Sequence, residues 1–250
     1  MTRLALWKAA CFGLVGLLAV SPSVEPASAQ QAATEEAEAV QQVKQQIFDL
    51  AESFKGQGDE DFSKQRQLEA LVEELLRLAP QPPVVERLET LYGTWQQVWG
   101  PYEYGSGSGR GVDPASDPDR IYQVVFPGGF YYNVAPRDRR ETGPTREIVL
   151  LRGVYEPIPE APDLLRVRFT AYPSTEVPSS SEAIWRLAAR AEADTLDNRS
   201  AVVPRFIVRL FFGGGALREA YTDDTLRITF GAGSAEDRSE ESIYIMRRVE

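Results

Sequence analysis

From Gly93 to Val249 the chain is written in a β grammar, and that stretch limits its fold more than any other feature. Short runs rich in β-branched and aromatic residues alternate with turn residues: Gly93–Trp99, Ile121–Phe126, Gly129–Val134, Glu147–Tyr155, Leu165–Tyr172, Pro204–Phe212, Thr225–Phe230 and Ser242–Val249. "RVRFTAY" puts Val167, Phe169 and Ala171 on one side and Arg166, Arg168 and Thr170 on the other. "TLRITF" does the same, with Leu226, Ile228 and Phe230 opposite Arg227 and Thr229. Such alternation marks strands whose two faces see different surroundings. "FPGG", residues 126–129, reads as a turn between two of the runs. About eight antiparallel strands in one array must deal with unpaired edges. Closure into a barrel removes them and leaves an interior wide enough for packed side chains or one small ligand. A two-sheet sandwich is the competing architecture, and strand spacing leaves both open.

The region before Gly93 has a different period. Val40, Val43, Ile47, Leu50, Ala51 and Phe54 recur at helical spacing and predict a helix from Glu35 to Phe54, after a loose leader at 30–34. "KGQGDED" interrupts it. Leu68, Leu71, Val72, Leu75 and Leu76 predict a second helix from Phe62 to Leu78, stopped by "APQPP". A short helical segment is expected over Val84–Leu91. One helix is inserted among the strands, around Ser181–Ala193, with Ile184, Leu187, Ala188 and Ala191 as its inner face.

At the N-terminus, Arg3 and Lys8 precede the apolar run Ala9–Val20, and Ala27-Ser28-Ala29 supplies small residues for cleavage. This reads as a secretory signal cut after Ala29, too short to span a bilayer core. The expected organisation is therefore a signal peptide over 1–29, a helical region over 30–83 and a β domain over 84–250. Export follows from the signal.

Composition excludes several functions. The chain carries 27 basic against 37 acidic residues, a net charge of −10, which disfavours nucleic acid because affinity there rests on Lys and Arg neutralising phosphates. There is no histidine, and the one cysteine, Cys11, lies inside the signal. Ser-His-Asp and Cys-His catalysis, zinc sites and disulfides are thereby removed. "GSGSGRG", residues 105–111, lacks the Lys-Ser/Thr ending and the following helix of a phosphate loop. Asp113, Asp117 and Asp119 do not have calcium-loop spacing, and turn formation accounts for their Asp-Pro pairs. No catalytic residue, cofactor or metal site is predicted.

The aromatics carry the sharper expectation. Trp95 and Trp99 are an even step apart on one strand, so both face the same side of a regular strand. With Tyr131, Phe169 and Phe211 they are candidates to line an apolar ligand cavity. The plainer account is that each simply fills a core.

Two helices, a proline break and "LETLYGTWQQVW" resemble the start of the plastid lipid-associated protein (PAP)/fibrillin family, which typically reads Leu-x-Gly-x-Trp on entering its first strand. The matching positions here are Leu91, Gly93 and Trp95. The family's closing signature, an aspartate, Leu-Arg-Ile, a glycine turn and a last strand ending Arg-Val, resembles Asp224, Leu226, Arg227, Ile228, Gly231, Arg248 and Val249. The turn here is lengthened by "AGSAEDRSEE", and the middle of the chain matches loosely. The resemblance implies a mainly β, α+β protein, a lipocalin-like antiparallel β-barrel of about eight strands with an N-terminal helical extension. It further implies a cyanobacterial-type member that binds small hydrophobic molecules (lipids, quinones or carotenoids) without catalysis, with peripheral association to photosynthetic membranes and, taken with the signal, export to a thylakoid lumen or periplasm. An assembly factor docking a membrane-protein complex through its N-terminal helices is the first alternative. A carboxylate-dependent hydrolase is the second.

Overall fold

The computed structural model describes residues 27–54, 62–100, 121–138, 146–174, 180–197, 214–232 and 241–249. The chain begins with two helices, α1 (Ala27–Ser53) and α2 (Ser63–Leu78). A 3-10 turn (Val84–Glu86) and one helical turn, α3 (Leu88–Leu91), follow the prolines. Eight strands come next: β1 (Gly93–Trp99), β2 (Tyr122–Phe126), β3 (Phe130–Asp138), β4 (Arg146–Ile158), β5 (Ala161–Ser174), β6 (Gly214–Thr222), β7 (Leu226–Ala232) and β8 (Ser242–Val249). Helix α4 (Ser181–Asp197) is inserted between β5 and β6.

Each strand pairs antiparallel with its sequence neighbour, and β8 returns to β1, so the sheet is a closed eight-stranded barrel. The sandwich is thus ruled out, and each of the eight described strands has a neighbour on both sides.

Three expectations about the elements change. Helix α1 starts at Ala27, so residues 30–34 are helical rather than a loose leader. The sixth strand is Gly214–Thr222; the predicted run Pro204–Phe212, and Phe211 with it, lies outside the described residues. The predicted signal, up to residue 26, lies outside them too.

The barrel wall is dressed on two sides. Val43, Ile47 and Ala51 of α1 and Leu68, Val72 and Leu75 of α2 pack on Leu226, Ile228, Phe230, Ile243 and Ile245 of β7 and β8. Ile184, Leu187, Ala188 and Ala191 of α4 pack on Val124, Phe126, Tyr132, Val134 and Leu150 of β2, β3 and β4. Arg152 of β4 anchors α4 with a two-point bond to Glu192, at 2.7 and 2.8 Å, and the Tyr132 hydroxyl donates to the same carboxylate. The three helical stripes read from the sequence are therefore spent on the outer wall. On β5, Arg166 and Arg168 are exposed and Val167 is buried, as the alternation predicts.

A third cluster is the lumen. Trp95, Val125, Tyr131, Tyr155, Leu165, Val167 and Met246 come from six strands around the ring. Side chains from all round a closed barrel meet only at its centre.

Candidate functional site

The barrel's two ends are unlike. At one, tight connections join β2 to β3, β4 to β5 and β6 to β7, and the segment 82–92 closes the floor. At the other, the connections between β1 and β2, β3 and β4, β5 and β6, and β7 and β8 are the long ones.

The floor is built around arginines. Arg87 is buried; its Nε donates to the Pro82 carbonyl at 3.0 Å, one terminal nitrogen to Thr222 Oγ1 at 3.1 Å, and the other to the Glu219 carbonyl. Loss of water around it pulls its pKa below the usual guanidinium value, with Glu219 opposing. Val84 and Leu91 point into the lumen cluster from this segment. From β8, Arg248 donates to the carbonyls of Tyr92 at 2.7 Å and Thr90 at 2.6 Å, and its guanidinium lies 4.2 Å from the Trp95 ring. The indole N–H of Trp95 donates to the Leu91 carbonyl at 2.7 Å. A cation over an indole face contributes about 1–2 kcal/mol when desolvated. Gly93 makes this possible: its φ is +128°, and a Cβ there would lie 2.6 Å from Arg248 Nη1. The Gly-x-Trp spacing thus has a physical reason, a bare backbone under which an arginine can pass to the ring two residues on.

The two tryptophans do not share a face. Gln97 pairs with Met246 and Trp99 with Ile245, so β1 spends one more residue than β8 at that point. This bulge reverses the alternation. Trp95 enters the lumen, whereas Trp99 leaves through the outer wall and meets Phe54 of α1 edge-on at 6.4 Å. The expectation that both line one cavity is corrected. Tyr131 is in the lumen cluster. Phe169 stands opposite Gly153 in register on β5, and its side chain is outside the described residues.

Glycine again makes room beside Tyr131. A Cβ on Gly153, its partner on β4, would lie 2.3 Å from the Tyr131 ring. Tyr244 likewise runs past Gly231 and Gly100. Both phenols thereby lie along the wall. Nearer the long-loop end, the inward-facing Leu217 and Tyr244 keep some solvent exposure, whereas Trp95 at the floor has none.

Arg227 and Glu219 were missed as a pair. Arg227 faces the lumen, opposite Met246 and Thr222 in register, and Leu226 and Ile228 face out under α1 and α2. Its Nε and Nη2 bind the two Glu219 oxygens at 3.0 and 2.5 Å, and Nη1 donates to Gln123, which in turn donates to Asn133 at 2.9 Å. The strand carrying Glu219, "GGALREAYT", opens on glycines and holds two charges, so it gave little β signal. A second bulge, between Glu219 and Tyr221, turns Tyr221 outward while Thr222 returns inward.

In the β6–β7 turn, Asp224 is exposed and Asp223 is the working residue. Asp223 accepts from Lys44 of α1 at 2.6 Å, from the Tyr221 hydroxyl at 2.9 Å, and from the backbone N–H groups of Thr225 and Leu226 at 2.8 and 2.9 Å. Burial alone would raise this carboxyl; the Lys44 ammonium and these donors outweigh it and hold the pKa at about 2.

Comparison with models of known families, with curated proteins and with solved structures gives no match. The site is therefore read from its own geometry.

Proposed function

We propose that the protein is a non-catalytic binding or carrier protein for a small hydrophobic molecule, a lipid, quinone or carotenoid, held in the barrel lumen. The observation that carries this reading is the asymmetry of the barrel. At one end the 82–92 segment is tied down by its own Arg87 and by Arg248 of β8. From there the aromatic lining grades towards partly accessible inward-facing residues at the other. A closed barrel of eight strands is the size that holds one small ligand.

Membership of the PAP/fibrillin family, export through the N-terminal signal and peripheral contact with photosynthetic membranes belong to the same proposal. Its support is that both resembling stretches meet in space, Gly93 and Trp95 lying against Arg248, with Arg227 Cζ 6.0 Å from the Trp95 ring. The docking-arm alternative loses its motive, since the apolar stripes of α1 and α2 are covered by the barrel wall.

Purification from a pigmented host followed by solvent extraction tests the reading. A lipid, quinone or carotenoid in near-stoichiometric amount is expected, and loss of Trp95 should lower its recovery. Extracts no richer than those of an unrelated protein would refute it.

A further inference from the structure

We propose that the lumen receives its ligand through an uncharged oxygen acceptor, such as a ketone, ester or quinone carbonyl, bonded by the Thr229 hydroxyl, and discriminates against the carboxylate of a fatty acid. This rests on the lumen being the ligand site.

Thr229 is 1% exposed, and its Oγ1 is a buried hydroxyl with no hydrogen-bond partner. It stands opposite Glu219 on β6 and Tyr244 on β8, both inward-facing, so its side chain is on the lumen face above the floor. A buried hydroxyl without a partner costs stability that a ligand oxygen would recover. Among the described residues, the arginines near this level are already committed. Arg227 is committed to Glu219 at two points and to Gln123 at a third. Arg87 spends its three nitrogens on Pro82, Thr222 and the Glu219 carbonyl, with Asp163 also acting on it. A carboxylate beside Thr229 would instead face the Glu219 carboxylate, its cross-strand neighbour, in a medium that screens poorly. The Tyr131 hydroxyl on β3 is another neutral buried group, and among the described residues a buried cationic donor remains at Arg248 Nε. It lies deeper, where Arg248 pairs with Trp95 and stacks on its ring, with Asp223 and Asp224 acting on it.

Pentadecyl methyl ketone and palmitate share one alkyl tail and differ in the charge of the end group, so they separate the two chemistries. Titrated calorimetrically into the protein at neutral pH, the ketone should bind at least about tenfold more tightly than palmitate. Thr229→Val should weaken the ketone about fivefold to tenfold, the worth of one neutral hydrogen bond, and leave palmitate unchanged. Thr229→Ser keeps the hydroxyl and should keep the preference, and thermal melts of both variants check folding. Palmitate binding as tightly as the ketone, or a ketone affinity indifferent to Thr229→Val in a folded protein, would overturn the assignment while leaving the lumen occupied. The first of these would point to Arg248 Nε. Binding of neither probe would overturn the lumen reading itself. Should both variants fail to fold, the wild-type preference alone decides.

Discussion

Arg227 meets both carboxylate oxygens of Glu219, at 3.0 and 2.5 Å, with the two side chains 2% and 0% exposed. An ion pair this deep is inside the barrel, where water cannot solvate either charge alone. Removing one partner should therefore cost about 3–5 kcal/mol, and replacing both by apolar groups much less than the sum. Denaturant unfolding of Arg227→Met, Glu219→Leu and the double variant measures this. Single costs that simply add would show that the two groups are not coupled.

Trp95 and Trp99 should behave alike in stability and differently in binding. Each is fully buried, so truncation to alanine should destabilise by about 3–5 kcal/mol. Trp95 lies in the lumen and Trp99 under α1. Ligand-induced change in tryptophan emission should vanish in Trp95→Phe and persist in Trp99→Phe. The reverse result would mean that the bulge at Gln97–Trp99 does not turn the second indole outward.

Gly153→Ala should act on the lumen through Tyr131. The new methyl would occupy the place of the phenol ring, forcing the ring off the wall at a cost of about 1–3 kcal/mol. Ligand affinity should fall by about tenfold or more, and Tyr131→Leu added to it should restore binding. If Gly153→Ala bound ligand normally, the position of the Tyr131 ring would not matter to binding.

The Lys44–Asp223 bond ties α1 to the β6–β7 turn and sets an acid limit. With Asp223 held at about 2 against an ordinary 3.8, the folded state binds fewer protons than the unfolded one between those values. Its contribution is fully present above pH ~4 and is lost as pH falls towards ~2. The carboxylate is 30% exposed, so its worth is about 1–2 kcal/mol after screening. Unfolding free energy followed from pH ~5 to pH ~2 should fall less steeply in Asp223→Asn than in the parent. Parallel acid limbs would remove Asp223 from the account.

Much of the fold was legible from the chain because period two and period 3.6 are local properties. Among the described residues, seven of the eight strands and all the helices announced themselves, whereas Gly93 and Trp95 were marked by the resemblance of the Leu-x-Gly-x-Trp stretch. The exception, Gly214–Thr222, was hidden by glycine and charge in a strand that carries Glu219 inward. Alternation also separates two faces without naming them. Along β7, alternation set Leu226, Ile228 and Phe230 opposite Arg227 and Thr229; the tertiary structure puts the first three under helices and the other two on the lumen.

What the sequence by itself determined was the helices and all the described strands but β6, the absence of histidine chemistry and the aromatic supply, since composition and periodicity are properties of neighbouring residues. Tertiary structure decided that the sheet closes on itself, that one tryptophan faces in and the other out, and that Glu219 finds Arg227. Those depend on strand register and on two single-residue bulges. One extra residue in a strand reverses every side chain beyond it, and only pairing with a distant strand reveals where that residue is spent.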